Sequence, residues 1–407
     1  MTTNVIDLEA KGCFDFFWNE ANTDKTSPGY GLIRDNTRPG GRQMASIASV
    51  GFGLSAYLIG IERNWITYDE GYERTKGTLL TFLNEVEQVE GFFYHFLNME
   101  TAKKYEEFYD CPSIIDTSIF LNGALTSAEY FGGDIAGLFE EIYARVNWKM
   151  YYDEKNNWFY MGYKEGSGGF GKWDMYAEQM MQYILGAASP THPVPAKIYK
   201  GFKRVLGTYG DYELYNSPAG QLFTHQFSHA WFNFNGIVDE DGIDWFDNSI
   251  KATLANRQYC IDHGDQFLTF HKDSWGLTAC SGPNGYCGPG APPYYPDVLP
   301  SNDGTVAPAG AAGSIVFTPQ ESIEALDYYY HHQPELWGGY GFQDAYNLDV
   351  EPAWFSDHVI GIDKGITLLM IENYKTGFVW DLYMKNSYVK KAAELLNWTP
   401  VDDQPES

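Results

Sequence analysis

The first residues in this sequence with types that can do chemistry are three carboxylates set among apolar and aromatic neighbours. Glu178 follows the run Gly166-Ser-Gly-Gly-Phe-Gly-Lys-Trp173 and, in a helix starting near residue 174, shares a face with Met181, Gln182 and Leu185. Partial burial by Met181 and nearby aromatics raises the pKa of a carboxyl placed there, as a general acid working near neutral pH requires. Taken alone, Glu178 reads better as an exposed acid favoured by the helix dipole. Asp363 lies in Gly361-Ile-Asp-Lys-Gly365, just ahead of an apolar helix carrying Ile366, Leu368, Leu369 and Ile371, where capping is the simplest duty. A carboxylate at a helix N-terminus also stays ionised, which suits a general base or a group that positions water. Asp116 stands amid Ile114, Ile115, Ile119 and Phe120, so its charge must find partners or face a cavity.

Other constellations carry less. His225 and His229 are four residues apart, a spacing that can chelate a metal from one helical face, but no further ligand of recognised spacing joins them and core or rim histidines are the better reading. Gly338-Gly-Tyr-Gly-Phe342 lacks the strand, helix and spacing of a dinucleotide fingerprint and reads as a turn at a binding rim. There is no Gly-x-Ser-x-Gly elbow and no P-loop. The expectation is chemistry without a cofactor or a metal.

The elements that must position these groups are helical. Apolar periodicity predicts about twelve helices, over 6–20, 46–63, 69–87, 114–131, 133–150, 174–188, 193–206, 220–233, 243–262, 318–332, 362–374 and 386–396. Ile47, Val50, Leu54, Leu58 and Ile61 form one stripe behind a capping Ser46, and Thr318, Pro319 and Glu321 spell a capping box. Gly91 to Phe96 predicts one arm of a hairpin. Long loops at 26–45, 164–173 and 274–317 are rich in Gly, Pro and aromatics, with none of the polar low-complexity character of a linker. A single all-α domain over residues 1–407 is expected, its loops walling a cleft.

Bulk properties narrow the partners. A net charge of -27 repels phosphate backbones and anionic lipid surfaces, so neither nucleic acid nor membrane is expected. The 31 Tyr, 26 Phe and 12 Trp suit stacking on the apolar faces of sugar rings, although helical cores use aromatics too. Five scattered cysteines without a C-x-x-C pair predict thiols. Asp7, Glu9, Asp15 and Glu20 interrupt the N-terminal stretch, which predicts a cytoplasmic protein, or a periplasmic or secreted one if a leader has been removed.

Taken in order along the chain, several stretches resemble the bacterial endo-β-1,2-glucanase family, whose domain is often labelled glucoamylase-like. They are Gly31 to Asp35, Ser46 to Phe52, Gly91 to Phe96, Ser113 to Thr117, Glu178 with Tyr183, Ser189-Pro-Thr-His-Pro193 and Asp273-Ser-Trp-Gly-Leu277. Asn302-Asp-Gly-Thr305, Trp337 to Phe342 with Asp344-Ala345, and Gly361 to Gly365 with Glu372-Asn-Tyr374 complete the set. The resemblance implies an (α/α)6 toroid and cofactor-free, inverting hydrolysis of β-1,2-glucan or sophoro-oligosaccharides. It makes Glu178 the acid, draws the base from the Asp363 motif, and gives Asp116 the orientation of sugar hydroxyls or water. His95, Trp275, Tyr286, Asp303, Trp337 and Tyr340 are the residues expected to contact sugar. Inversion requires the acid and base about 6.5–9.5 Å apart, or further where a sugar hydroxyl relays the proton. Ala177 and Ala188 depart from the family, which usually has a small polar residue and Gly there, and this bears on linkage and chain-length preference. An exo-acting β-glucosidase, a transglycosylase and a non-catalytic carbohydrate-binding protein are the competing readings, and a metal-dependent lyase on a similar toroid ranks last because an acidic cleft repels uronates.

Overall fold

A computed structural model describes residues 4–39, 43–105 and 111–401. These form a predominantly α-helical chain with twelve α-helices and short two-stranded antiparallel sheets. The chain divides into two compact units, one made of Met1–Asp15, Met175–Glu178 and Lys203–Gly377, the other of Phe16–Asp174, Gln179–Phe202 and Phe378–Ser407.

In the second of these units, helices Ile47–Glu62 and Ile114–Phe131 pack against each other. Their backbones meet at Gly51 and Gly123, where a Cβ on Gly123 would collide with the Gly51 carbonyl. Larger residues there would force the helices apart, which is why a long buried helix tolerates glycine at the crossing. Tyr68–Asn84, Gly133–Ala144, Met180–Ala188, Phe378–Lys385 and Ser387–Leu395 surround this pair. Phe82 stacks on Phe120 in the core with Phe93 edge-on to both, and Tyr383 donates its hydroxyl to Asn122 Oδ1 at 2.8 Å.

The other unit is built on helices Trp245–Asp262, Pro308–Ala312, Pro319–His332 and Gly361–Thr376. Hairpins close between them, with Cys280–Gly282 paired to Gly285–Cys287 and Trp337–Gly338 paired to Gly341–Phe342. Trp275, Leu277, Tyr329, Phe342 and Tyr346 lie at its apolar centre.

Most predicted helices are present within a few residues, and Ser46 caps the Ile47 helix as expected, its Oγ accepting from Ser49 N. Phe92–Phe93 pairs with Gln88–Val89, so the Gly91 to Phe96 run does form a hairpin arm. The 174–188 helix starts only at Met180. The 193–206 prediction shrinks to a 3-10 turn at Ala196–Gly201, because Pro193 and Pro195 remove the donors that an earlier start would use. The 220–233 prediction becomes two 3-10 turns, Leu222–His225 and Phe227–Ala230, in a segment buried almost throughout. Pro319–His332 begins behind Thr318 without a side-chain cap, since the Thr318 hydroxyl turns to Ser322 Oγ instead. Helices Pro308–Ala312 and Phe378–Lys385 escaped the periodicity reading. Among the described residues no helix is long and apolar enough to cross a membrane.

Candidate functional site

Glu178 sits half-buried in a turn ahead of helix Met180–Ala188, rather than one turn inside a helix. Its main chain is fixed by Ser228, whose Oγ donates to the Glu178 carbonyl at 2.6 Å. Two residues earlier, Tyr176 stacks on Trp245 with centroids 4.3 Å apart. Burial, and to a lesser degree the Glu178 charge, pushes the Tyr176 phenol up. Tyr176, stacked on Trp245, thus flanks the turn that carries the Glu178 carboxyl.

Asp363 is the third residue of helix Gly361–Thr376 and is 8% exposed. It lines a small cavity together with Asp344, Lys364, Glu9 and Thr367. Lys364 Nζ donates to Glu9 Oε1 at 2.8 Å, and Glu9 Oε2 accepts the Phe342 N–H at 2.8 Å, so one buried carboxylate ties the helix start to the Trp337–Phe342 hairpin. Gly341 in that hairpin has φ +82, and a Cβ on it would run into the Glu9 carboxylate. Asp344 accepts the Ser281 N–H at 2.6 Å, and Ser281 Oγ in turn meets His358 Nε2 at 2.8 Å. In the sequence Asp344 stood out only as part of a motif, and Glu9, Lys364 and Ser281 were missed as site neighbours.

Asp116 and His95 belong to the other unit, and the structure brings them together, with Asp116 Oδ1 at 3.7 Å from His95 Nε2. Asp116 is the third residue of helix Ile114–Phe131, and its Oδ2 accepts from Ser113 Oγ at 2.5 Å while Ser113 Oγ accepts the Asp116 N–H. This capping exchange satisfies one oxygen of a charge that the sequence marked as misplaced among isoleucines. The other oxygen faces a partly exposed imidazole stacked on Phe96. Asp116 thus has an anchored side and a side able to orient a hydroxyl.

The predicted sugar contacts divide by exposure. Tyr286, on the Gly285–Cys287 strand, is 64% exposed and presents an open ring. Trp337 and Tyr340 are half-buried in and beside the neighbouring hairpin, Trp337 packing edge-on against Tyr330 and Phe342. Asp303 is exposed, its Oδ1 accepting the Thr305 N–H at 3.0 Å. Trp275 is corrected: it has no exposed surface and lies within the apolar core, and a ring without an open face packs instead of stacking on sugar.

His225 and His229 are both buried, and the segment between them is not a continuous helix. Burial holds each at about 3, with the charge of His225 adding to the effect at His229. Among the described residues no group of three His, Cys, Asp or Glu is placed to hold a metal ion. A folded-state value this far below about 6.5 for the unfolded chain means that the unfolded state takes up protons first as the pH falls. Stability from this pair is present above about pH 6.5 and is lost as the pH falls toward about 3. Thermal unfolding between pH 7 and pH 4 should show the melting temperature falling more steeply for the native protein than for a His225→Gln/His229→Gln variant. Parallel slopes would remove the two imidazoles as a source of acid sensitivity.

Residues 171–387 match the protein family Glycoamylase, described as "Putative glucoamylase". The exo beta-1,2-glucooligosaccharide sophorohydrolase (non-reducing end) of Parabacteroides distasonis is 28% identical over 429 residues, covering 96% of this chain and 57% of that protein. The chain therefore spans little more than half the length of that curated relative. The solved structure of endo-beta-1,2-glucanase from Chitinophaga pinensis, a sophorotriose and glucose complex, superposes with a TM-score of 0.86 at 26% identity, covering 97% of this chain and 98% of that one. The crystal structure of beta-1,2-glucanase from Parabacteroides distasonis gives a TM-score of 0.86 at 26% identity, covering 97% of this chain and 60% of that one.

Proposed function

This chain belongs to the Glycoamylase family, and we propose that it is a glycoside hydrolase acting on β-1,2-glucan or sophoro-oligosaccharides by an inverting acid/base mechanism without a cofactor. The observation that carries the reading is the buried Asp363 carboxylate at a helix start, lining a cavity beside a second carboxylate, in a chain similar along nearly all its length to proteins named for β-1,2-glucan hydrolysis. Closure of the helices into an (α/α)6 toroid forming a single domain is part of this proposal, supported by the resemblance and by the twelve α-helices.

In the proposed reaction a water molecule attacks the anomeric carbon from the face opposite the scissile bond. The bond to the leaving oxygen breaks, that oxygen takes the proton of Glu178, and the proton of the attacking water passes to Asp363 directly or through a sugar hydroxyl. Asp116, anchored by Ser113, orients a hydroxyl of the sugar. Water delivered from the opposite face converts a β-linkage into an α-anomeric product.

Incubation with linear β-1,2-glucan and, separately, with sophoro-oligosaccharides tests the reading, with product length and anomeric configuration followed by NMR. Short α-anomeric products are the expected result. Absence of turnover on both substrates overturns the assignment. An exo-acting sophorohydrolase is the second reading, favoured by the activity for which the Parabacteroides distasonis relative is named. It predicts sophorose as the first product, where an endo-enzyme gives a ladder of lengths.

Tyr286 offers a further check on substrate binding. Stacking of a sugar on this open ring is worth about 0.5–1.5 kcal/mol, by analogy with aromatic pairs. Tyr286→Ala is therefore expected to raise KM roughly two- to tenfold and leave kcat nearly unchanged. A KM within error of the native value would place Tyr286 outside the substrate path.

A further inference from the structure

Asp344 is 4% exposed, follows the Trp337–Phe342 hairpin closely, and lies on the cavity that Asp363 and Lys364 also line. Its two oxygens are unequal. Oδ2 accepts the Ser281 N–H at 2.6 Å, which fixes the side-chain rotamer from the neighbouring hairpin. Oδ1 is buried and has no hydrogen-bond partner among the described residues. A buried carboxylate oxygen is costly to leave unpaired, and one on a residue that lines a cavity shared with a second carboxylate is a ready acceptor for a hydroxyl or a water.

Three buried carboxyl groups, on Glu9, Asp344 and Asp363, line the same small cavity as the Lys364 ammonium. Glu9 is committed on both oxygens, to Lys364 Nζ and to the Phe342 N–H. The Asp344 charge adds, after Glu9 and Cys13, to the elevation of Lys364. Ser281 N–H holds Oδ2 and leaves Oδ1 without a hydrogen bond among the described residues.

We propose that Asp344 is a further catalytic residue, whose Oδ1 accepts a hydrogen bond from the attacking water and holds it for Asp363. This role rests on the hydrolase reading above. In the step itself, the water oxygen forms the new bond to the anomeric carbon and the old C–O bond breaks toward the leaving oxygen, which Glu178 protonates. One water proton goes to Asp363, and the other remains on the product hydroxyl, hydrogen-bonded to Asp344 as the water settles.

Asp344→Asn preserves the size and the acceptor for Ser281 N–H, but turns an amide N–H toward the water. With β-1,2-glucan or sophoro-oligosaccharide as substrate, kcat is expected to fall about 100-fold or more with KM within about threefold, as for loss of an interaction made in the transition state. Because both groups act on one water, Asp344→Asn/Asp363→Asn should lose little more than the weaker of the two single variants. In Asp344→Ser, added sodium azide should restore part of the turnover, with azide attacking the anomeric carbon to give an α-glycosyl azide and the released sugar taking the proton of Glu178.

If the native protein turns over the glucan while Asp344→Asn keeps kcat within fivefold, Asp344 is not catalytic and the hydrolase reading stands. Multiplicative losses in the double variant, with no azide rescue, would make Asp344 a strut for the Cys280–Cys287 hairpin and likewise overturn its catalytic role. Variants that lose their fold, judged by near-UV circular dichroism and by loss of sophorotriose binding together with activity, would also make Asp344 structural and overturn that role. A native protein inactive on both substrates overturns the underlying function instead.

Discussion

Glu178→Gln is expected to lower kcat on β-1,2-glucan about 10³-fold while leaving KM within a few-fold, because general-acid catalysis contributes roughly 10²–10⁴ and the amide cannot supply a proton. Glu178 lies in a turn ahead of a helix, and its backbone carbonyl, not its side chain, carries the bond from Ser228 Oγ. Gln fills the same volume, so the fold should persist and the loss should appear in kcat alone. The leaving group supplies a second test. A substrate whose leaving group is a good anion, such as an aryl glycoside, needs little protonation, so the deficit on such a substrate should shrink well below that on glucan. A uniform loss on both substrates would mean that Glu178 binds or positions, and that the proton comes from elsewhere.

The parts of the site legible in the sequence were those where a local rule was broken. Asp116 stood out as a charge among isoleucines, and the structure resolves the conflict with a Ser113 exchange on one oxygen and His95 near the other. Asp363 was legible as a helix-start carboxylate, and it occupies the third position of its helix. Helices with an apolar stripe and a capping residue were legible because they obey the local rules, as the Ser46 cap illustrates. The segment 220–233 was not, because burial on nearly every side removes the amphipathic contrast that distinguishes an α-helix from linked 3-10 turns. Trp275 was misread for a related reason: aromatic type predicts burial and stacking equally well, and only the fold separates the core ring from the open ring of Tyr286. Glu9 was beyond reach. It sits in an N-terminal helix whose acids entered only the localisation reading, and its partner Lys364 is 355 residues away.

That long-range pair carries the second large effect. Glu9→Gln leaves the Lys364 ammonium buried without its counter-charge, and breaking a buried pair in this way costs about 3–5 kcal/mol of unfolding free energy. Glu9 and Lys364 are 2% and 4% exposed, so little solvent is available to soften the loss. Glu9→Gln/Lys364→Met removes both charges and should recover most of that stability, since an apolar replacement of the whole pair is often neutral. The pH dependence separates the variants further. Burial alone would depress Lys364, but Glu9, Cys13 and the hydrogen bond to Glu9 outweigh it and hold the lysine above its ordinary value. A raised folded-state value keeps the pair's contribution whole below about pH 10.4 and loses it as the pH climbs through the folded value. In Glu9→Gln the sign reverses, because a buried lysine without its partner is depressed and the unfolded chain then binds the proton more tightly. Chemical denaturation at intervals from pH 7 to pH 10 should therefore show the native protein level in this respect and the Glu9→Gln variant gaining stability as the pH rises. A variant curve parallel to the native one would mean that Lys364 finds another counter-ion, for which Asp344 and Asp363 on the same cavity are the available groups. Their capture by the lysine would then appear as a fall in kcat, tying the stability of the helix start to the state of the proposed base.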